Sequence, residues 1–275
     1  NAPNAMAGLP AFCRVRAEAS SGPGSRITFE VWVPLGDAWN GKLVTTGNGG
    51  YSPALGLGDM AYALRQGYAV VGGDTGHQSA NPNDLSFGVG NRAAIADWGT
   101  HSIHAITTAG KAIVAALRGS APRRAYFYGC STGGHQGYAE MQRYPDDFDG
   151  VIAGAPGSNR VRLNVGFLWQ FLANRDRAAP ATPILPAAKL PAIARAVVAA
   201  CDTLDGVSDG VVDEPRACAF DAASLRCAGP DAPGCLTDPQ LAALRRMYAG
   251  ARNPRTGETL YPGWPLGSEA GWGRY

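Results

Sequence analysis

Long apolar runs are missing from this 275-residue sequence; none approaches the roughly 18 residues that a membrane-spanning helix requires. A dominant charge is missing too, since 24 basic and 22 acidic side chains leave a formal net charge of +2. That balance excludes the basic excess of a nucleic-acid binder. Charged residues make up 17% against 45% hydrophobic, which excludes a disordered chain and provides for a buried core. No basic and apolar leader opens at Asn1, so any export signal is expected to have been removed. Cys-x-x-Cys pairs are absent, and the four histidines (His77, His101, His104, His135) lie far from the cysteine-rich stretch, which argues against a zinc site.

Six cysteines are present, and four of them (Cys201, Cys218, Cys227, Cys235) crowd into a stretch of loop-like composition. Disulfides of exported proteins are placed in this way, so the expected compartment is secreted or periplasmic. Cys201–Cys218 and Cys227–Cys235 are the simplest pairing; free buried thiols are the alternative. The 37 glycines and 20 prolines imply more turns than a helical bundle tolerates.

Strand and helix signals alternate through the first part of the chain. Residues 27–33, 42–46, 69–73, 125–129 and 150–155 read as strands, and 59–65, 93–117 and 132–144 as helices. This alternation predicts an α/β fold with a parallel sheet covered on both faces. After Pro156 the texture changes to helical patterns (165–173, 187–200, 238–248) separated by connections rich in proline, cysteine and aspartate. The expected organisation is a sheet domain over 1–156 and a second, mostly helical or irregular region over 157–275.

The most informative residues are Gly129-Cys130-Ser131-Thr132-Gly133, a G-x-S-x-G between a predicted strand and a predicted helix. A nucleophile on so tight a turn takes strained backbone angles, and glycine on either side avoids a collision. Ser131 is then the candidate catalytic nucleophile, and the backbone N–H of Thr132 points where an oxyanion would form. Gly47-Asn48-Gly49-Gly50 follows the 42–46 strand, where an α/β-hydrolase carries its oxyanion loop, which makes Gly49 and Gly50 candidate donors. The plain alternatives are a structural Gly-Ser turn and a flexible glycine turn.

A base for Ser131 is harder to find. In α/β-hydrolases the triad runs Ser, then Asp or Glu, then His, yet no histidine follows position 135. His135 lies four residues after Ser131 on the same helix and should point along its surface. His101 and His104 read as packed or solvated, and His77 as a loop brace, with lining of the site as its alternative. Trp98 falls in a helical apolar stripe and reads as core. Phe167, Trp169 and Phe171 could face either a pocket or the sheet domain, and their spacing of two is not helical, which leaves at least one of them exposed or at an interface.

A second signal is acidic. Asp202, Asp205 and Asp209 fall within eight residues, with Gly206 and Gly210 between and after them. Carboxylates at this density repel unless a cation gathers them, and hard oxygen ligands suit Ca²⁺. The carbonyls of Val207 and Val211 can complete the shell. Arg216 stands where an EF-hand would need a bidentate glutamate, so the loop is not an EF-hand. A solvated acidic turn is the alternative.

The elbow continues as Gly134-His135-Gln136-Gly137, followed by Gln142-Arg143-Tyr144-Pro145-Asp146-Asp147-Phe148-Asp149-Gly150 and Ala153-Gly154-Ala155-Pro156. With Asp74-Thr75-Gly76-His77, Asp97-Trp98 and the acidic segment near 202, this closely resembles the tannase and feruloyl esterase family, to which bacterial mono(2-hydroxyethyl) terephthalate hydrolases belong. The resemblance implies an α/β-hydrolase fold with a large lid inserted after the sixth strand, a chain that ends within that lid, and a calcium in the acidic loop. It implies a serine carboxylesterase acting on feruloyl, galloyl or terephthaloyl esters, with the triad His and Asp outside this chain. It also implies that Cys130 is bridged to a cysteine beyond Tyr275, on a C-terminal segment or second chain. A non-catalytic aromatic-ligand-binding module of the same fold is the rival expectation.

Overall fold

In the computed structural model, which describes residues 7–51, 53–176 and 178–274, the β-branched runs of the first half form one six-stranded sheet. Its strands are β1 (Phe12–Ala19), β2 (Ile27–Pro34), β3 (Lys42–Thr46), β4 (Ala69–Gly73), β5 (Arg124–Cys130) and β6 (Gly150–Gly154). Their order across the sheet is β1-β2-β4-β3-β5-β6. The expectation of a wholly parallel sheet is corrected here. Strands β4, β3, β5 and β6 are parallel, but β2 runs antiparallel to both β4 and β1. Short connections between β1 and β2 allow a hairpin-like return, which a parallel pair could not make without a crossover.

Strand β1 was not among the strands read from the sequence, although Arg14, Arg16 and Glu18 alternate with Val15, Ala17 and Ala19 at the period of two of a half-buried strand. Those charges occupy one face of an edge strand, while Val15, Ala17 and Ala19 pack on the core. Strand β2 is buried along its whole length. Its Ile27, Phe29, Val31 and Val33 pack with Leu43, Val71, Ile106 and Phe127 on one face, where α3 (Ser102–Arg118) lies. Trp32 packs on the other face with Val44, Met60, Leu64 and Val70, beneath α1 (Leu57–Arg65). A strand whose two faces both meet apolar layers explains the continuous hydrophobic run.

The long helical pattern of 93–117 is broken in the structure. Helix α2 (Arg92–Ala96) passes into a π-helical turn over Asp97–His101 before α3 begins. Helix α4 (Thr132–Arg143) follows β5 and packs against β5 and β6.

The chain divides at Ser158/Asn159 into two compact units. The expected portions 1–156 and 157–275 also take in residues 1–6, 52, 177 and 275, which lie outside the described residues. In the second unit, α5 (Arg160–Ala173), α6 (Leu190–Cys201) and α7 (Asp238–Ala249) surround a core of Ile193, Val197, Leu236, Leu241, Leu244 and Trp272. A short two-stranded ribbon joins them, β7 (Ala251–Arg252) with β8 (Thr259–Tyr261), too brief to leave a strand signature. Both expected disulfides are present, Cys201–Cys218 and Cys227–Cys235. The buried Lys189 ammonium donates to the Asp231 carboxylate and to the carbonyls of Ala232 and Cys235, closing the smaller loop.

The ion pair between β1 and β2 is the main polar tie at the sheet's edge. Arg14 donates twice to the buried Glu30, at 2.8 and 2.7 Å, and Trp32 Nε1 donates to it at 2.8 Å. Burial pushes the Glu30 carboxyl up, but these donors outweigh it and hold the group below the usual carboxylate range. A depressed carboxylate contributes stability above its unfolded pKa that is lost as the pH falls. Arg14→Ala should therefore lower the unfolding free energy by about 2 kcal/mol at pH 7, because it strands a buried charge. Urea titrations should show that deficit shrinking as the pH falls below about 4. A deficit that is unchanged down to pH 3 would count against it.

Candidate active site

Strand β5 ends at Cys130 and α4 begins at Thr132, so Ser131 alone makes the turn between them. Its backbone sits at φ 60°, ψ −114°, a conformation that an L-residue adopts only under constraint. Strain of this kind costs about 1–3 kcal/mol and persists where surrounding bonds over-determine it. Here Ser131 N–H donates to Gly154 O at 3.0 Å, while its carbonyl accepts from His135 N–H and Gly157 N–H, both at 3.1 Å. The flanking glycines permit the crossing. A Cβ on Gly129 would lie 2.7 Å from the Gly133 carbonyl, and one on Gly134 would lie 2.4 Å from Gly154 O.

Strand β3 lies beside β5, so the loop after β3 arrives next to the elbow. Gly47 N–H donates to Tyr128 O at 2.8 Å, and the Thr132 hydroxyl donates to Gly50 O. Gly49 is exposed between these anchors, and Gly50 takes φ 59°. The sequence reading missed the residues that hold this loop. Asn48 N–H donates to Gln136 Oε1 at 3.1 Å, and Asn48 Nδ2 donates to Gly73 O at 2.7 Å and Ala54 O at 2.9 Å. The Asn48 amide is thereby engaged, while Gly49 after it is exposed and Gly50 is half-buried against Pro82. No periodic pattern announces either side chain; the only signal was their position within the two glycine motifs.

The histidine rings are occupied elsewhere. His135 Nε2 is 3.1 Å from Gly99 O, along the helix surface as expected. His77 stacks on Phe87 with centroids 3.8 Å apart, and burial holds its imidazole below the ordinary range. His101 Nδ1 is 4.0 Å from Asp97 Oδ1, and His104 pairs with Asp147. Among the described residues no histidine ring hydrogen-bonds Ser131. Trp98 is corrected from a core residue to a half-buried one. It stacks on His135 at 5.4 Å and neighbours Tyr51 at 5.7 Å and Phe87 at 6.4 Å, an aromatic group that meets α4 at His135, one helical turn after Ser131. The π-helical turn moved it off the apolar stripe.

In the second unit, Phe167 and Phe171 are exposed on α5, while Trp169 packs toward its core and donates to Arg246 O at 2.9 Å. The acidic loop turns at Gly206 and Gly210, with φ of 91° and 81°. Asp202 accepts from the Ser208 hydroxyl at 2.8 Å and from Gly210 N–H at 2.7 Å, and these bonds hold its carboxyl below the usual range. Asp205 and Asp209 accept from Val207 N–H at 2.8 Å and Val211 N–H at 3.0 Å. The donor set is made of hard oxygens, which suits calcium by its chemistry. The carboxylates are spread along the loop rather than drawn within 4.8 Å of one another, so a cation would have to gather them.

The sequence pattern of the family described as tannase and feruloyl esterase matches residues 13–273. The chain is 41% identical over 256 residues to an uncharacterized esterase of Xanthomonas campestris pv. campestris, covering 93% of this chain and 44% of that protein. It is 34% identical to a mono(2-hydroxyethyl) terephthalate hydrolase of Piscinibacter sakaiensis, covering 94% and 48%. The crystal structure of feruloyl esterase B from Aspergillus oryzae superposes with a TM-score of 0.84 at 31% identity, covering 94% of this chain and 51% of that one. The chain thus spans about half the length of the curated relatives it matches.

The elbow's close packing has a direct consequence. Gly134→Ala would place a methyl group against the backbone of Gly154 and Pro156, neither of which can yield as a side-chain tip would. A loss of about 1–3 kcal/mol is expected in denaturant unfolding. Gly58→Ala on α1, where an added Cβ meets nothing within 4 Å, should leave stability unchanged or slightly raised. Equal stability of the two variants would refute the packing account.

Proposed function

We propose that this chain, which belongs to the tannase and feruloyl esterase family, carries the nucleophile and oxyanion loop of an exported carboxylesterase acting on esters of small aromatic acids. The observation that carries the reading is Ser131 at φ 60° between β5 and α4, with the glycine loop of 47–50 tied beside it. Ser131 Oγ attacks the ester carbonyl, and the developing oxyanion is held by the Thr132 amide and by Gly49 or Gly50. A histidine outside residues 1–275 takes the serine proton and returns it to the leaving alcohol, with an aspartate outside this range orienting it. Tyr51, Phe87 and Trp98 support an aromatic acyl group, and the names of the feruloyl and terephthalate relatives agree with it.

Residues 157–275 are proposed as the first part of a lid. Asp202, Asp205 and Asp209, with the carbonyls of Val207 and Val211, would hold a calcium there, and the ion would pin a loop already enclosed by Cys201–Cys218. Its contribution is structural, and no step of ester cleavage uses it. Cys130 is exposed beside the nucleophile as a free thiol, and we propose that it pairs with a cysteine outside residues 1–275. Two disulfides in the second unit support an exported protein.

In the full-length protein, Ser131→Ala should reduce hydrolysis of methyl ferulate, methyl gallate and mono(2-hydroxyethyl) terephthalate by roughly four orders of magnitude or more. It should also abolish labelling by an active-serine phosphonate while the melting temperature holds. Labelling that survives the substitution would place the nucleophile elsewhere. Chelation of calcium should lower the melting midpoint of the wild-type protein and leave that of Asp205→Ala unmoved. A wild-type midpoint indifferent to chelator would return the loop to a solvated turn.

A further inference from the structure

Away from the elbow, three side chains converge where the start of α3 meets the end of α4. They are His104 on α3, Glu140 on α4, and Asp147 in the single turn Pro145–Asp147 that follows α4. Among the described residues, these form the one group of histidine, cysteine, aspartate or glutamate side chains whose candidate ligand atoms all lie within 4.8 Å of one another.

Glu140 is the telling member. It is 1% exposed, and its Oε2 has no hydrogen-bond partner. Burial and the charge of Asp147 both oppose its ionisation, a deficit that a neighbouring cation removes. A buried carboxylate oxygen left without a donor is costly, so a structure that keeps one invites a positive ligand. The other two are held in place. The His104 ring stacks on Tyr144 with centroids 3.9 Å apart and planes 9° from parallel. Its Nδ1 lies 2.6 Å from Asp147 Oδ2. Lys111 donates to the carbonyl of Asp147 at 2.5 Å, which fixes the turn and leaves the carboxylate to its own partners.

We propose that His104, Glu140 and Asp147 form a three-ligand site for a divalent transition-metal cation of the zinc type. Once Glu140 gives up its proton to solvent on binding, two carboxylates and a neutral imidazole carry a charge of about −2, which such a cation balances. An imidazole with carboxylates suits zinc or cobalt, whereas three protein ligands are too few for the six to eight oxygens of calcium. The 2.6 Å separation of Nδ1 and Oδ2 is that of a charge-assisted hydrogen bond. Ligands of a tetrahedral zinc stand about 3.3 Å apart, so the cation takes the place of the proton between them, the imidazole is left as its Nε2–H tautomer, and the pair opens slightly. His104 is partly exposed and lines a surface cleft with Ser20, Thr108 and Tyr144, and this cleft supplies the fourth ligand as water or a small anion.

Sequence alone argued against zinc because it offered no cysteine pair. These ligands come from 104, 140 and 147, separations that no short motif encodes.

The test uses the full-length protein in excess calcium, so that the acidic loop does not compete. Added Co²⁺ should give the visible d–d absorption of a four- or five-coordinate site, saturating at a single equivalent and displaced by Zn²⁺. His104→Ala should lose these bands while keeping its far-ultraviolet circular dichroism, since the ring is half-exposed. Glu140→Gln should weaken them, and His101→Ala, one turn away, should retain them. Absence of the bands in the wild-type protein, or their persistence in His104→Ala, would overturn the proposal.

Discussion

The close approach of α4's first turn to the ends of β3, β5 and β6 is the constraint on which this half of the molecule turns. Backbone passes backbone at distances that no side chain would allow, at Gly129 and Gly134. Because that contact is made by main chain, it fixes Ser131 and the 47–50 loop without using any reactive group. Gln136 and Asn48 then lock the loop from the far side, reaching across from α4 to β3. The strained serine is thus a product of packing around it and not of its own preferences.

How much of this could be read in the residues depended on whether a local rule was at stake. The strained turn at Ser131 was legible because so tight a strand-to-helix turn leaves glycines at fixed offsets, and the disulfide pairs because each joins near neighbours in sequence. Strand β1 was legible in its period-two alternation of charged and apolar residues and was overlooked; only the answer of Glu30 to Arg14, 16 residues away, needed the fold. The antiparallel course of β2 was hidden for another reason. A strand buried on both faces reads alike whichever way its neighbours run. Trp98 was placed with the core by counting at helical spacing, and a π-helical turn broke the count. Asn48 and Gln136 carry no pattern at all, because their partnership exists only after β3 and β5 have paired.

The second unit holds its shape by different means. Its helices share one apolar core, but long stretches between them lack regular backbone bonding. Two disulfides and the buried Lys189 ammonium take over there, tying loops to helix ends. Helix α7 is the exception that sequence rules cover fully: Thr237 and Gln240 cap it reciprocally, with a proline in its first turn.

The π-helical turn at Asp97–His101 also bears on how such a site can vary. One residue more per turn rotates everything on one side of it by about 100° relative to an unbroken helix. The α3 face that packs on the sheet stays where it is, while Trp98 is swung to stack on His135. A single-residue deletion there would restore a continuous helix and carry the indole away from the elbow, with the hydrophobic core undisturbed. Gain or loss of one residue there would therefore re-aim the indole relative to α4 in one step, by an indel and not by substitution.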